Sequence, residues 1–314
     1  MGRPNAAGAP RRRVAILLST RDGAPFLAEQ LESLLAQSHR DWQIFWRDDG
    51  SVDETPALMR DFADGAGIGR VVDLNDNAGH VGITASFLGL LRRAPRGRIV
   101  AFADQDDVWL PEKLARGVAA LEDIPQDVPG LYCARQRLVA ADLTPIRLSA
   151  PVLGRPGFPQ SMTQNVATGC TVMLNPQAAS LIAEAREPVG TLHDWWAYLL
   201  VSASGGTVVF DDEPTVLYRQ HARNAVGVPL SRSRRVWAAL RRGPHVFMRT
   251  FRAHMAALEA EEGVLSPPAR DALGLISAGL HDGWSRRLRA LAHPGLKRQS
   301  WAETQLFRLW FLLG

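Results

Sequence analysis

The stretch FADQDDVWLPEKL, residues 102–114, decides how this chain is read. An apolar strand ending, Ile99 to Phe102, runs directly into Asp104, Asp106 and Asp107, and then into Trp109 and a Pro-led helix. Carboxylates a few ångströms apart raise one another's pKa and destabilise a fold that leaves them unpaired. A cation removes that cost: Mg²⁺ takes one or two carboxylates and keeps positions for water and substrate phosphate. Asp104-Gln105-Asp106 therefore suits a metal-bound diphosphate. Taken alone, Asp-x-Asp is equally a solvated turn, so its meaning rests on the elements around it.

Those elements alternate. Residues 14–122 interleave apolar runs with helical patterns, the signature of parallel β-α-β units and of an α/β fold. VAILL (14–18) reads as a buried strand, and after STRDG, Pro25 opens a helix with Leu27, Leu31, Leu34 and Leu35 on one stripe. WQIFWR (42–47) is a second strand, and in the following DDGS, Ser51 with Glu54 forms a capping box for a helix through Asp61. Strands near 70–74 and 98–102 flank a helix near 83–91. Ligands of open α/β sheets bind outside the carboxyl ends of the strands, so STRDG, DDGS, NDNAGH and DQDD are expected to converge on one crevice. Thr20, Ser19 and the DDGS turn also have a purely local reading as turn and cap residues.

Beyond about residue 130 the pattern is mixed. A strand near 131–138, a Gly/Pro-rich loop at 151–159 and NVATGCTVML precede a helix from Pro176; HDWWAYLLV reads as a buried helix, with TVVF and TVLYR as strands after it. From 229 to 314 the chain turns helical and basic, with 14 Lys/Arg against 6 Asp/Glu, whereas residues 1–228 carry 22 against 26. Such a tail fits contact with an anionic surface or acceptor, or simply a solvated helical face. No run of about 18 uncharged apolar residues exists to span a bilayer. The terminal LFRLWFLL, with Trp301 and Trp310, suits either an interface or packing on the body.

At 314 residues and 46% hydrophobic, the chain can bury a substantial core. Cys133 and Cys170 form no CxxC pair, which suggests neither zinc site nor disulfide framework and fits a reducing compartment. MGRPNAAGAPRRR (1–13) has no apolar h-region and reads as a flexible leader, so a cytoplasmic location is expected.

STRDGAPFLAEQLESLLAQSHRDWQIFWRDDGSVDET, NAGHVGITASF, FADQDDVWLPEKL, HDWWAYLL and YRQHARN together resemble the family 2 glycosyltransferases of the GT-A fold, and among them bacterial rhamnosyltransferases of cell-surface polysaccharide assembly. The resemblance covers about residues 13–228, with five motifs in family order and spacing. It implies a Rossmann-like α/β/α sandwich with a mixed, mostly parallel sheet: a nucleotide-binding half (14–122), an acceptor-binding half (123–228) and a basic helical extension (229–314). It further implies that Ser19, Thr20 and Arg21 meet the nucleotide. Of the pair Asp48 and Asp49, one bonds the base, with Asp49 preferred. Asn77 and Gly79 close over the nucleoside, and Asp104, with Gln105 beside it, contacts ribose or sugar. Asp106 is the metal ligand, with Asp107 behind it. Asp194 is the general base, and Tyr218, Arg219 and His221 meet the diphosphate or the metal, His221 being the second metal ligand. Arg21-Asp22 departs from the family, which commonly has an aromatic-Asn pair there.

The expected reaction is inverting, Mg²⁺- or Mn²⁺-dependent transfer of a sugar, L-rhamnose by resemblance, from a nucleotide sugar such as dTDP-L-rhamnose to a glycan or lipid-linked acceptor. The QxxRW signature of processive members is absent, which implies single transfers, and the basic tail would reach the inner face of the membrane peripherally. Nucleotidyl transfer is a competing reading, opposed by the lack of a Gly-rich, Lys-containing phosphate loop. A non-catalytic carbohydrate- or nucleic-acid-binding protein is opposed by the complete acidic set. No nucleic-acid partner is expected, because the basic tail is the only feature that favours one.

Overall fold

The computed structural model describes residues 13–76, 79–222 and 232–314; Asn77 and most of the leader lie outside the described residues. Strand β1 (Val14–Thr20) runs down the middle of the parallel half of the sheet, with β2 (Trp42–Asp48) on one side and β4 (Ile99–Ala103) on the other, and β3 (Val71–Asp73) beyond β2. The apolar run of β1 is explained by burial on both faces. Val14, Ile16 and Leu18 pack in one cluster with Leu27, Leu31 and Leu34 of α1 (Ala24–Leu35), while Ala15 and Leu17 pack in the other with Phe87 and Leu90 of α3 (Ile83–Arg93).

Helix α2 (Thr55–Asp64) starts later than the sequence predicts. Glu54 is its N-cap without a side-chain cap bond, and the Ser51 hydroxyl is instead spent on Asp48 (2.6 Å), so the Ser51–Glu54 capping box is not formed. After β4 come the short strand β5 (Val108–Trp109), α4 (Lys113–Glu122), β6 (Gly130–Val139), β7 (Pro145–Leu148), β8 (Met173–Leu174), α5 (Pro176–Glu184), α6 (His193–Ala203) and β9 (Thr207–Arg219). Strand β8 pairs antiparallel with both β4 and β6 and thereby joins the two halves into one mixed sheet, in the order β3-β2-β1-β4-β8-β6-β9-β5. TVVF and TVLYR, predicted as two strands, are one: β9 runs parallel to β6 along its length and absorbs a register shift opposite Ala134 and Gln136.

The C-terminal region forms α7 (Arg232–Glu259, broken at Gly243, φ 76°), α8 (Pro267–His281), α9 (Trp284–Leu291) and α10 (Trp301–Leu313). Met248, Phe251 and Met255 of α7 and Phe307, Trp310 and Phe311 of α10 share a single core with Trp196 and Leu199 of α6. Trp310 is therefore a packing residue, which resolves the two readings of LFRLWFLL for that side chain. No described helix is long and apolar enough to cross a membrane.

Candidate active site

The four loops predicted to converge do so through hydrogen bonds. The Gln105 amide clamps the backbone of Arg21 from both sides, Oε1 accepting from its N–H and Nε2 donating to its C=O, each at 2.7 Å. Gln105 thus ties the exit of β1 to the turn after β4, and its amide is committed to that purpose rather than to a ligand. Thr20, buried, donates to Asp48 Oδ1 (3.0 Å) and accepts from Trp46 Nε1 (2.9 Å). Ser19 shares a hydrogen bond with Ser86 (2.7 Å), and Gly79, at φ 64°, accepts at its carbonyl from Arg47 (2.8 Å). The Arg21 guanidinium lies against the exposed His80 ring.

The acidic pair after β2 divides its work. Asp48, partly exposed, accepts from the Ser51 and Gly50 N–H groups and holds the turn. Asp49 is buried, and both oxygens are filled: Oδ1 by Arg47 (2.6 Å) and Val81 N (2.8 Å), Oδ2 by His80 (2.7 Å) and Gly82 N (2.9 Å). A carboxylate offers about four acceptor sites, so none is left for a base. Burial raises the Asp49 pKa, but these four donors outweigh it and leave the carboxyl below its ordinary value. Asp48 is filled equally, Oδ1 by the Thr20 and Ser51 hydroxyls and Oδ2 by the Gly50 and Ser51 N–H groups, so both carboxylates of the pair are engaged in holding the loops together.

The turn DQDD is held from behind by β9. Arg219 donates its backbone N–H to Asp107 Oδ1 (3.0 Å) and its Nε to the Asp106 carbonyl (2.8 Å), and its other nitrogens reach the Ala141 carbonyl and Glu29. This guanidinium is buried over the Phe26 ring, so Arg219 braces the turn instead of offering itself to a phosphate. Tyr218 is likewise buried. His221 does reach the acids: its Nε2 lies 2.8 Å from Asp106 Oδ2, and its ring stacks on Phe26. Two ligands of one octahedral cation with bonds near 2.1 Å stand about 3 Å apart, so a pair of oxygen and imidazole donors at this separation fits a divalent ion. Asp104, Asp107 and Cys170 also place ligand atoms within 4.8 Å of one another, but burial holds the Cys170 thiol well above its ordinary pKa, and a protonated sulfur is a poor ligand for a hard cation.

Asp194, from the first turn of α6, completes the cluster. Gly169 N–H bonds Asp194 (2.9 Å) and Phe102 N–H bonds the Val172 carbonyl (3.2 Å), so the 169–172 turn holds Asp194 beside the end of β4, where its charge raises the pKa of Asp104. Burial raises Asp194 to about 6, against hydrogen bonds from Trp195 N (2.6 Å), Gly169 N (2.9 Å) and the Asn165 side chain. The helix N-cap is Leu192, so Asp194 is not the cap. Beside it, His193 stacks on Phe87 (4.0 Å between ring centroids) and meets Phe102 edge-on, with burial lowering its pKa to about 3, so its ring is neutral packing.

Asp104 keeps some surface open to the crevice while protein surrounds its other sides. Burial first, then the charges of Asp106 and Asp194, raise its pKa to about 8, opposed by Lys113. Asp107 is fully buried and raised further, by burial and then by Asp106 and Asp104. Lys113, which sequence reasoning missed, lies buried beneath them with its ammonium 3.6 Å from the Trp109 ring centroid, its pKa lowered by burial to about 7. The signal was present: Lys113 shares one helical stripe with Gly117 and Leu121, both buried. A groove of about 450 Å³ between the end of α7 and α8, lined by Glu259, Arg270 and His281 among others, holds none of these residues.

A mixed sheet whose parallel strands end in acidic loops, answered by a carboxylate from a later helix, is the arrangement of GT-A glycosyltransferases. Residues 15–146 match the family model of glycosyl transferase family 2. It is similar to the dTDP-rhamnosyl transferase RfbG of Shigella flexneri, 25% identical over 234 residues that cover 68% of this chain and 75% of that protein. Among solved structures it is similar in fold to S. aureus TarS 1-349 in complex with UDP-GlcNAc (TM-score 0.57, 12% identity, 90% of this chain and 79% of that one). It is also similar in fold to the mannosyltransferase PcManGT of Pyrobaculum calidifontis in complex with GDP-Man and Mn2+ (TM-score 0.51, 17% identity, 96% and 86%).

Proposed function

We propose that this glycosyltransferase is inverting, metal-dependent and non-processive, and that it moves L-rhamnose from a nucleoside diphosphate to a hydroxyl of a cell-surface glycan or glycolipid precursor. The observation that carries the reading is the meeting of Asp104, Asp106 and Asp194 in one charge cluster, with Asp194 raised to about 6. Rhamnose and a dTDP donor are supported by the name of the Shigella relative, and a nucleotide-sugar donor and Mn²⁺ by the ligands of the two structural neighbours.

In this reading Asp194 accepts the proton of the acceptor hydroxyl as its oxygen bonds to C1 of the sugar, and the bond from C1 to the diphosphate oxygen breaks with its electron pair leaving on the diphosphate. Displacement in one step inverts C1. Asp106 and His221 would hold a divalent ion, which when bound supplies positive charge for the diphosphate. Asp104 faces the ribose or sugar. Asp48 and Asp49 stand at the base end, with Ser19, Thr20 and Arg21 beside them at the nucleotide and Gly79 in the loop over it. The test is a panel of nucleotide sugars with and without Mn²⁺. One donor is expected to release its nucleotide only with metal, and to give product of opposite anomeric configuration once acceptor is added. Release from none of them would remove the reading.

A further inference from the structure

Helix α9 has an apolar stripe wider than the surface that covers it. Ala290 and Leu291 are buried against the body, but Trp284 and Leu288, one turn apart, extend the same stripe and are 63% and 57% exposed. On α10, Leu309 and Leu313 repeat the spacing at 50% and 66% exposure, while Phe307, Trp310 and Phe311 fill the core on the other side. The two helices are joined: Arg287 donates to the Leu312 carbonyl at the end of α10 (2.6 Å). Arg289 is exposed on the solvent side of α9, while Arg286, turned to the face opposite Trp284 and Leu288, pairs with Asp282. Residues 283–314 hold six Lys/Arg and a single acid, Glu303.

We propose that α9 and the outer face of α10 dock on an anionic lipid bilayer, lying in its interface. Bare Trp and Leu on a segment with an excess of basic residues match the chemistry of a surface that is apolar within and negative at its headgroups. A polar protein partner would leave the bare side chains unsatisfied, and a second copy of this strongly basic face would repel itself. The inference rests on the proposed function, because such docking would bring the acid cluster to a lipid-linked acceptor.

Flotation with vesicles of phosphatidylglycerol and phosphatidylcholine, against phosphatidylcholine alone, tests it. The protein is expected to float with the anionic vesicles, to be released by high salt, and to lose at least tenfold in partitioning in Trp284→Ser/Leu288→Ser. Arg289→Glu is expected to weaken binding to anionic vesicles alone. Donor hydrolysis in solution should be unchanged in both variants, which shows them folded and keeps this test separate from that of the transferase reading. Equal partitioning of the wild type into neither vesicle overturns the inference. So does unaltered flotation of the double variant, or a dimer that the same substitutions dissociate.

Discussion

Asp194 should impose an acid limb on catalysis at an unusual pH. Its carboxyl is raised to about 6 chiefly by burial, so at pH 5 only about a tenth of the protein carries it as the ionised base. A solvated carboxylate near 3.8 would still be ionised in over about 90% of molecules at pH 5. Turnover at saturating donor and metal, followed by nucleoside diphosphate release from pH 5 to 8, is therefore expected to fall about tenfold between the plateau and pH 5. The Asp194→Asn variant keeps one acceptor oxygen for the Gly169 N–H and loses the bond to the Trp195 N–H, about 1 kcal/mol of stability, so it should fold. Its turnover should drop by about 10²–10⁴ and its remaining rate should be flat across that range. A wild-type profile flat to pH 5, or an Asn variant with the same acid limb, would refute the assignment of the base.

Three further outcomes follow from the same geometry. Asp106→Asn removes one of the two paired ligands, so calorimetric titration should show donor affinity in Mn²⁺ reduced at least about tenfold, with metal-free affinity little changed. Lys113, lowered from 10.5 to about 7, is held as a cation less readily folded than unfolded, so between those values the unfolded chain binds more protons and stability rises with pH. Asp104, raised to about 8, acts in the opposite sense between about 4 and 8, so denaturant midpoints of the metal-free protein should pass through a minimum near pH 7–8; Lys113→Met should abolish the alkaline rise, worth a few kcal/mol. Gly206→Ala would place a Cβ 2.5 Å from the Pro129 carbonyl oxygen and 2.7 Å from that of Val201, costing about 1–3 kcal/mol or more, whereas Gly89→Ala in α3 meets nothing within 4 Å and should gain about 0.5–1 kcal/mol, both read by thermal melting.

What the sequence disclosed and what it hid divide along a physical line. The α/β alternation, the strand ends and the convergence of four loops were legible because period and turn chemistry are local properties, and β1 carries them in seven residues. Partnership is not local. Nothing in DDGS says that Asp49 will be filled by donors from Arg47, His80, Val81 and Gly82, because three of those donors arrive from around residue 80. Arg219 was read as a phosphate ligand from its neighbour His221, yet its four bonds to the carboxylate turn, Ala141 and Glu29 depend on where β9 lies in the sheet. The short strands β5, β7 and β8 escaped for a related reason: two to four residues hold no period, and their pairing is decided by the strands they meet.

The acid turn itself changes meaning in the fold. On sequence, carboxylates crowded at the edge of a core call for an external cation, with Asp106 as its ligand, to relieve their repulsion. In the structure they are not equivalent, and the protein supplies much of the balance. Asp107 is sealed from solvent and its pKa is raised well above the ordinary value, chiefly by burial, with one oxygen bonded to the Arg219 N–H and Lys113 beneath. Asp106 faces His221. Of the three, Asp104 and Asp106 keep solvent-accessible surface, so a single divalent ion and the diphosphate it accompanies need answer two carboxylates, the number Mg²⁺ ordinarily takes. The raised pKa of Asp104 then has a consequence for binding: the negative charge it gains on moving from pH 6 to pH 8 should strengthen cation uptake by the metal-free protein, read by calorimetric titration with Mn²⁺, and an uptake that does not change across that range would refute it.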